Sequence, residues 1–284
     1  MKKREIIRII GVSAVRFCVL FSMIFLIAFL VMLFAKGGRM LSIPFLTQFP
    51  KYGMTRGGIF PALVGTFYLT SLAIIISLPI GLFSAIYLTE YARPAWLVRI
   101  IRTAINTLAG VPSIVFGLFG MAIFVNLFDF GVSILSGSLT LAILILPIII
   151  NASEEAIKGV PGSFREASYA VGATKRQTIM RVTLPAALPN ILTGAIISVG
   201  RAAGETAPIL FTAATFYTRK LPRSVMDEVM ALPYHIYALM TEGTSPEYQV
   251  PIAYGTAIVL LLLVLGINLI AIIIRYRIRR KKKW

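Results

Sequence analysis

The sequence predicts an all-α membrane protein with six transmembrane helices. Of its 284 residues, 58% are hydrophobic and only 14% are charged, and the mean hydropathy is +0.87. Long apolar runs recur along the whole length, which is typical of a chain that crosses a membrane several times. The net charge of +17 comes mainly from residues at the ends of these runs, not from one basic, aromatic-interleaved face. This distribution favours membrane topology over nucleic-acid binding.

Six apolar runs are long enough to be helical spans across about 30 Å of hydrocarbon. They cover roughly residues 15–35, 61–88, 103–128, 139–152, 188–214 and 251–274. The first run is too long for the apolar part of a signal peptide and no small-residue cleavage site follows it, so we interpret it as a span. Proline and glycine recur inside five of the six spans. In lipid they are tolerated where neighbouring helices or a cavity satisfy the backbone, which indicates a bundle that moves or lines a path.

The positions of the basic residues predict the orientation of the chain. On this topology, 20 Lys and Arg residues lie on the side of the termini and 7 on the opposite side. Basic residues are enriched in cytoplasmic loops, so both termini are expected in the cytoplasm. The chain then divides into a cytoplasmic head (1–14), a six-helix domain (15–274) with a long cytoplasmic loop (153–187), and a basic cytoplasmic tail (275–284).

The loop 153–187 is predicted to form a compact projection on the cytoplasmic side. Ser163 and Glu166 have the spacing of a capping box, so a short helix is expected over 164–171. Gly172 suits the position just beyond that helix. A second short helix is expected from Thr174 toward Leu184, before Pro185. Such an element suits docking into a groove of another protein, although its composition is equally that of a solvated connector.

Two charged residues lie inside the fifth apolar run. Arg201 and Glu205 are four residues apart and share a helix face. A charge at the bilayer centre costs about 2.5–3.5 kcal/mol on insertion scales, so its environment must compensate for it. One interpretation is a structural ion pair; the other is an anion contact, because guanidinium donors match tetrahedral oxyanions. Ser198 and Thr206 supply nearby hydroxyls, and Pro208 is expected to break the helix just beyond Glu205.

The sequence offers little for catalysis. Cys18 and His235 are the only residues of their types and lie far apart, so no metal site is expected. His235 is expected at the surface of an outer loop, in a docking role. A membrane-embedded enzyme would need a base or nucleophile, usually with a metal cluster, and is disfavoured. The sequence has no G-x-x-x-x-G-K-[ST] loop, so any ATP that drives this protein is bound by a partner.

The cytoplasmic loop resembles the EAA loop of ABC importer permeases. Glu166-Ala167-Ser168 is followed after three residues by Gly172, and after nine more by Val182-x-Leu184-Pro185. The chain departs from the family pattern by Ser168 in place of a third small residue and by Val182 in place of isoleucine. The resemblance implies a type I permease fold in which this loop is the coupling helix. Glu166, Ala167, Ser168, Gly172, Leu184 and Pro185 would then belong to the element that couples to the ATPase.

Three further segments resemble the phosphate-specific importer permeases of the PstA type. They are residues 108–113 (LAGVPS), 200–208 (GRAAGETAP) and 230–237 (MALPYHIY). This resemblance implies alternating-access import of inorganic phosphate, with Arg201, Glu205, Ser198 and Thr206 as candidate translocation residues. It also implies a second, PstC-like permease, two copies of a PstB-like ATPase that holds ATP and Mg, and an external PstS-like phosphate-binding protein. No cofactor is expected on this chain itself. An importer of another oxyanion, sulfate or molybdate, remains an alternative; a passive channel is disfavoured by the coupling loop.

Overall fold

The computed structural model describes residues 2–218 and 220–281, which are mostly helical. Met1, Arg219 and residues 282–284 of the predicted basic tail lie outside the described residues. Within the described part, five helices are long and apolar enough to cross a membrane, and a helix pair bent by 99° passes the same test together, which gives up to six spans. The expected six-span α-helical fold is therefore confirmed, and the chain is a multi-pass membrane protein.

Along the chain, long helices alternate with short helices and turns. The helices are α1 (Lys2–Gly37), α2 (Ile43–Thr47), α3 (Phe60–Ile86), α4 (Ala95–Ala109), α5 (Ser113–Gly120), α6 (Ile134–Lys158), α7 (Gly162–Ala170), α8 (Lys175–Thr178), α9 (Leu184–Gly204), α10 (Ala207–Thr212), α11 (Leu232–Thr241) and α12 (Pro246–Lys281). Three π-helical turns extend α3 (Tyr87–Tyr91), extend α5 (Met121–Leu127) and join α8 to α9 (Ile179–Thr183). Strands β1 (Pro50–Lys51) and β2 (Arg56–Gly57) form a small antiparallel hairpin on the outer side of the predicted topology.

The centre of the bundle is α6, with α3 and α9 packed along it. Ile145 and Ile149 of α6 are fully buried. A methyl group added at Gly81 of α3 would lie 2.6 Å from Ile149 Cγ2, and one added at Gly194 of α9 would overlap the methyl of Ala152. Small residues at these crossings let the helix backbones approach closely.

The third predicted span, 103–128, is not one helix. It consists of α4 and α5, which meet at an angle of 99°. The bend falls at Gly110, Val111 and Pro112, because proline offers no backbone N–H to continue α4 and disfavours helical geometry in the residue before it. Helix α4 also begins eight residues earlier than expected, at Ala95.

The fifth predicted span, 188–214, is wrong at both ends. The helix is continuous from Lys175 to Gly204, so α8 and α9 are one body and Pro185 does not end the short helix before it. The π-helical turn directly before Pro185 absorbs the distortion that proline causes in a regular helix. Beyond Gly204 the chain breaks and resumes as α10. The fourth span is likewise longer than the expected 139–152, since α6 covers Ile134–Lys158.

Helices α1 and α12 lie at the outside of the bundle. Most side chains of α1 are exposed, including Phe17, Ile24 and Phe25, as is typical of a helix that faces lipid. Its C-terminal end packs on α12, where Lys36 Nζ lies 5.1 Å from the centre of the Tyr254 ring. Helix α1 therefore lies at the edge of the bundle, whereas α12 contributes Ile252, Ala253 and Val259 to a buried cluster with α11.

Candidate functional site

The predicted Arg201–Glu205 pair is present at the end of α9, but Arg201 is not buried within this chain. Arg201 Nε donates to Glu205 Oε1 at 3.2 Å. The Arg201 side chain is 38% exposed and that of Glu205 is 17% exposed, so the arginine faces outward from the bundle while the glutamate is nearly enclosed. The pair thus leaves part of the guanidinium open at the surface of this chain.

The position of the pair in the helix differs from the expectation. Arg201 lies in the last turn of α9, not near the middle of a span, and Glu205 is the residue at which the helix ends. Glu205 has an extended backbone (φ −74°, ψ 132°), and α10 starts at Ala207 with Pro208 as its second residue. The helix does break close to Glu205, but the break lies at Glu205 and Thr206 and not beyond them, and Pro208 belongs to the first turn of α10.

The two predicted hydroxyl residues differ in their surroundings. Ser198 is fully buried, and its hydroxyl donates to the carbonyl of Gly194 at 2.9 Å. It therefore lies on the core face of α9, away from the exposed stripe that carries Ile197, Arg201 and Gly204. Thr206 lies in the break itself and is half-buried, and its carbonyl accepts from Leu210 N at 3.1 Å. The structure thus brings Glu205 into contact with Arg201, whereas the Ser198 hydroxyl is bonded within α9.

The inner side of Glu205 borders a narrow cavity against α3. Thr66, Leu69 and Thr70 line it from α3, and Ala202 and Ala203 line it from α9. The Thr70 hydroxyl is buried and has no hydrogen-bond partner among the described residues, whereas Thr66 Oγ1 accepts from Leu232 N at 2.8 Å. Helix α3 therefore forms the wall behind the ion pair.

Helix α5 packs against the start of α10, just after the break. A methyl group added at Gly117 would lie 2.8 Å from Ala207 O, 3.1 Å from Pro208 Cα and 3.0 Å from Phe211 Cδ2. The backbone of α5 thus rests directly on the first turn of α10. Sequence reasoning missed this contact, although the glycines of the third span were visible.

The loop 153–187 forms one separate short helix, α7, whereas α8 is the first turn of the continuous helix from Lys175 to Gly204 and not a second short helix. Helix α7 ends in a Schellman motif: Gly172 N donates to Tyr169 O at 2.9 Å and Ala173 N donates to Ser168 O at 3.2 Å. Gly172 has φ +79°, the left-handed geometry for which glycine was expected. Thr174 caps α8 in a capping box with Gln177. The expected Ser163–Glu166 cap is wrong, because α7 starts at Gly162, after Pro161, and no side chain caps it.

The residues of the EAA-like motif divide between surface and interior. Glu166, Ala167 and Gly172 are exposed, as is Val171 at 85%. Ser168 is buried, and its hydroxyl is 2.9 Å from that of Thr178, so it fastens α7 to α8. Leu184 packs on a buried cluster that includes Ala85, Ile157 and Val160, and Pro185 follows it at the start of α9. The exposed surface thus belongs to α7 and the turn after it.

Two ion-pair clusters at this end of the molecule were not predicted. Arg165 Nη2 lies 3.2 Å from Glu90 Oε1, at the end of α3. Glu154 of α6 is buried and lies 3.2 Å from Arg102 and 2.6 Å from Lys158. Only the Lys158 pair has helical spacing that the sequence shows directly; the other two join residues 75 and 52 positions apart.

His235 contradicts the expectation of a surface residue. It is 2% exposed, on α11, which packs against α3 and α12. Its Nδ1 has no hydrogen-bond partner among the described residues. Helix α11 is thus part of the packed core, since its Leu232 and Leu239 are also fully buried.

Comparisons with known proteins agree with the fold. Residues 77–284 match the family described as "Binding-protein-dependent transport system inner membrane component". The chain is 35% identical over 247 residues to the "Probable ABC transporter permease protein YqgI" of Bacillus subtilis, covering 83% of this chain and 84% of that protein. It is 38% identical over 229 residues to the "Phosphate transport system permease protein PstA 1" of Mycobacterium tuberculosis, covering 80% and 72%. An inward-facing structure of the MetNI methionine ABC transporter has a chain with the same fold, at a TM-score of 0.58 and 22% identity, covering 78% of this chain and 94% of that one.

Proposed function

The chain belongs to the family of binding-protein-dependent transport system inner membrane components, and we propose that it is the permease subunit of an ATP-driven importer of inorganic phosphate. Relatives named as phosphate transport permeases cover most of the chain. The observation that carries the proposal is the half-open Arg201, held by Glu205 at a helix break and facing out of this chain's own bundle. A guanidinium in that position can donate to a phosphate oxygen while its Nε stays bound to Glu205.

The path for phosphate then runs between this chain and a second permease. Arg201 faces outward, and the neighbouring exposed positions of α9, Ile197 and Gly204, lie on the same side. An arginine on the lipid face of a single chain would be costly, and burial against a second permease with a shared aqueous path removes that cost. A PstC-like subunit is the partner that fits, because it would present a related surface.

Energy would reach the path through α7. The exposed residues Glu166 and Ala167 of α7, with Val171 just after it, are suited to a groove on an ATPase. The continuous helix from Lys175 to Gly204 joins that element to Arg201. Two PstB-like subunits would hold ATP and Mg, and a PstS-like binding protein would deliver phosphate to the opposite side. Both termini and α7 then lie in the cytoplasm, as the basic residues predict. Phosphate passes by alternating access, without a covalent intermediate, and the chain acts as a transport subunit and not as an enzyme.

The test is uptake of labelled phosphate by cells that lack their own importer and receive this chain with its partners. Wild type, Arg201→Gln and Arg201→Lys are compared, with Arg56→Gln of the exposed hairpin as the control. We expect Arg201→Gln to abolish uptake while the complex still assembles, and Arg201→Lys to retain only part of it, because lysine keeps the charge without the fork of donors.

Excess sulfate and molybdate are added as competitors in the same experiment. Uptake that resists both identifies phosphate as the substrate, whereas inhibition by either one assigns the chain to the alternative oxyanion importers. Normal uptake by Arg201→Gln would make the Arg201–Glu205 pair structural. Flux that continues in wild type after ATP depletion would identify a passive channel.

A further inference from the structure

The end of α3 is fastened to the cytoplasmic loop by an ion pair. Arg165 Nη2, in α7, lies 3.2 Å from Glu90 Oε1, in the π-helical turn that ends α3. The side chains are 22% and 12% exposed, so both charges are largely withdrawn from solvent. Pairs of this kind add little net stability, because desolvation offsets their attraction, but they fix the relative position of the groups they join.

The same guanidinium also reaches α6. Arg165 Nη1 donates to Val160 O at 3.0 Å, and Nη2 donates to Ile157 O at 2.9 Å. These carbonyls belong to the last turn of α6 and the residues just after it, and that of Ile157 also accepts from Val160 N at 3.3 Å. One side chain of α7 therefore joins the ends of α3 and α6.

A second contact comes from the start of α8. Lys175 Nζ donates to the backbone carbonyl of Glu90. The same nitrogen lies 4.7 Å from the centre of the Tyr91 ring, within range of a cation–π interaction. Helix α7, before the Schellman motif at Gly172, and helix α8, after it, thus both contact the single turn Tyr87–Tyr91.

Helix α3 connects this turn to the wall of the Arg201–Glu205 site. It continues without a break from Tyr87 back to Phe60, since Tyr87 N donates to carbonyls of the preceding turn. Thr66 and Thr70 line the cavity on the inner side of Glu205. Thr70 and Glu90 are twenty residues apart, or about 30 Å along a helix. The loop therefore has a second rigid connection to the site, besides the helix from Lys175 to Gly204.

We propose that Glu90 is a positioning residue that couples the movement of α7 to α3, so that ATPase closure shifts both walls of the site, α3 and α9, together. This inference rests on the proposed transport function and goes beyond it. Without the Glu90 carboxylate, only Lys175 would connect the loop to the end of α3, and the movement of the wall behind Glu205 would no longer follow that of α9 closely. ATP would then be hydrolysed without a matching transport event.

The experiment measures phosphate transported per ATP hydrolysed by the complete complex in proteoliposomes. Wild type is compared with Glu90→Gln, Arg165→Gln, the double variant and Glu155→Gln, an exposed carboxylate at the same end of the molecule. We expect Glu90→Gln to lower the ratio about fivefold or more with ATP hydrolysis maintained, the size of a typical coupling between sites. The double variant is expected to be no worse than Arg165→Gln alone, because both remove the same contact. Lys175→Gln is expected to act in the same direction with a smaller effect.

The controls separate this inference from the proposed function. A wild-type complex that moves no phosphate contradicts the proposed function itself. A wild-type complex that moves phosphate, with a Glu90→Gln ratio equal to that of Glu155→Gln, overturns only the role of Glu90. Additive losses in the double variant, or a parallel fall of hydrolysis and transport in Glu90→Gln, would show independent structural effects and overturn it as well.

Discussion

Replacing Gly117 by alanine is expected to disturb the site without touching either charge. The added methyl group would lie 3.1 Å from Pro208 Cα and 2.8 Å from Ala207 O. Favourable carbon–carbon contacts lie at about 3.5–4.0 Å, so the first turn of α10 must move by about half an ångström. Both close atoms are backbone atoms, which cannot rotate away, and overpacking of this kind costs about 1–3 kcal/mol.

That displacement acts on the break that holds Glu205. Ala207 is two residues after Glu205, so a shift of α10 changes the geometry of the Arg201–Glu205 pair. A strain of about 1–3 kcal/mol placed on the site corresponds to a change of about 5–150-fold in an equilibrium. We expect phosphate uptake to fall about tenfold while the complex still assembles.

The assay is labelled phosphate uptake by Gly117→Ala, compared with Gly266→Ala. A methyl group at Gly266 of α12 would meet no atom within 4 Å, so this control adds the same group without strain. Alanine there also favours the helix, by about 1 kcal/mol. Equal uptake by the two variants would refute the argument that α5 supports the break.

Two further predictions concern the loops. Gly172→Ala places an L side chain at φ +79°, which costs about 1–2 kcal/mol. No atom lies within 4 Å of the added methyl group, so the strain is in the backbone conformation. We expect proteolysis of the loop to be faster in Gly172→Ala than in Gly162→Ala. Hydrogen bonds from the backbone N–H groups of Arg223 and Ser224 lower the pKa of Asp227 below its usual 3.8. Because the folded-state pKa is depressed, this contribution to loop stability is present above about pH 4 and is lost as the pH falls through the lowered value. Asp227→Asn should remove that acid dependence from the proteolysis rate of the outer loop; an unchanged rate profile would refute it.

The number of spans was predictable because hydrophobic length alone determines which segments can cross a membrane. The ends of the helices were less predictable, because the effect of a proline depends on the backbone around it. Pro112 turns the chain by 99°, whereas Pro185 lies in a continuous helix behind a π-helical turn. Sequence spacing does not distinguish these two cases.

The site was predictable where partners are close in sequence. Arg201 and Glu205 are separated by one helical turn, and the Gly172 motif involves residues within five positions. The Arg165–Glu90 and Arg102–Glu154 pairs join residues from different helices, so they depend on how α3, α4 and α6 pack. The burial of His235 was missed for the same reason. Its burial depends on the packing of α11 against α3 and α12, whereas the composition of the surrounding segment predicted an exposed loop.

In the proposed function, the location of Arg201 at the last turn of α9 has a consequence for how strongly it would bind an anion. The final carbonyls of a helix carry about half a negative charge, and the Glu205 carboxylate adds a full one beside the guanidinium. A phosphate at this proposed site would therefore compete with two negative groups that are already in place. Such a site holds its ligand briefly and releases it readily, which a conduit requires and a storage site would not tolerate.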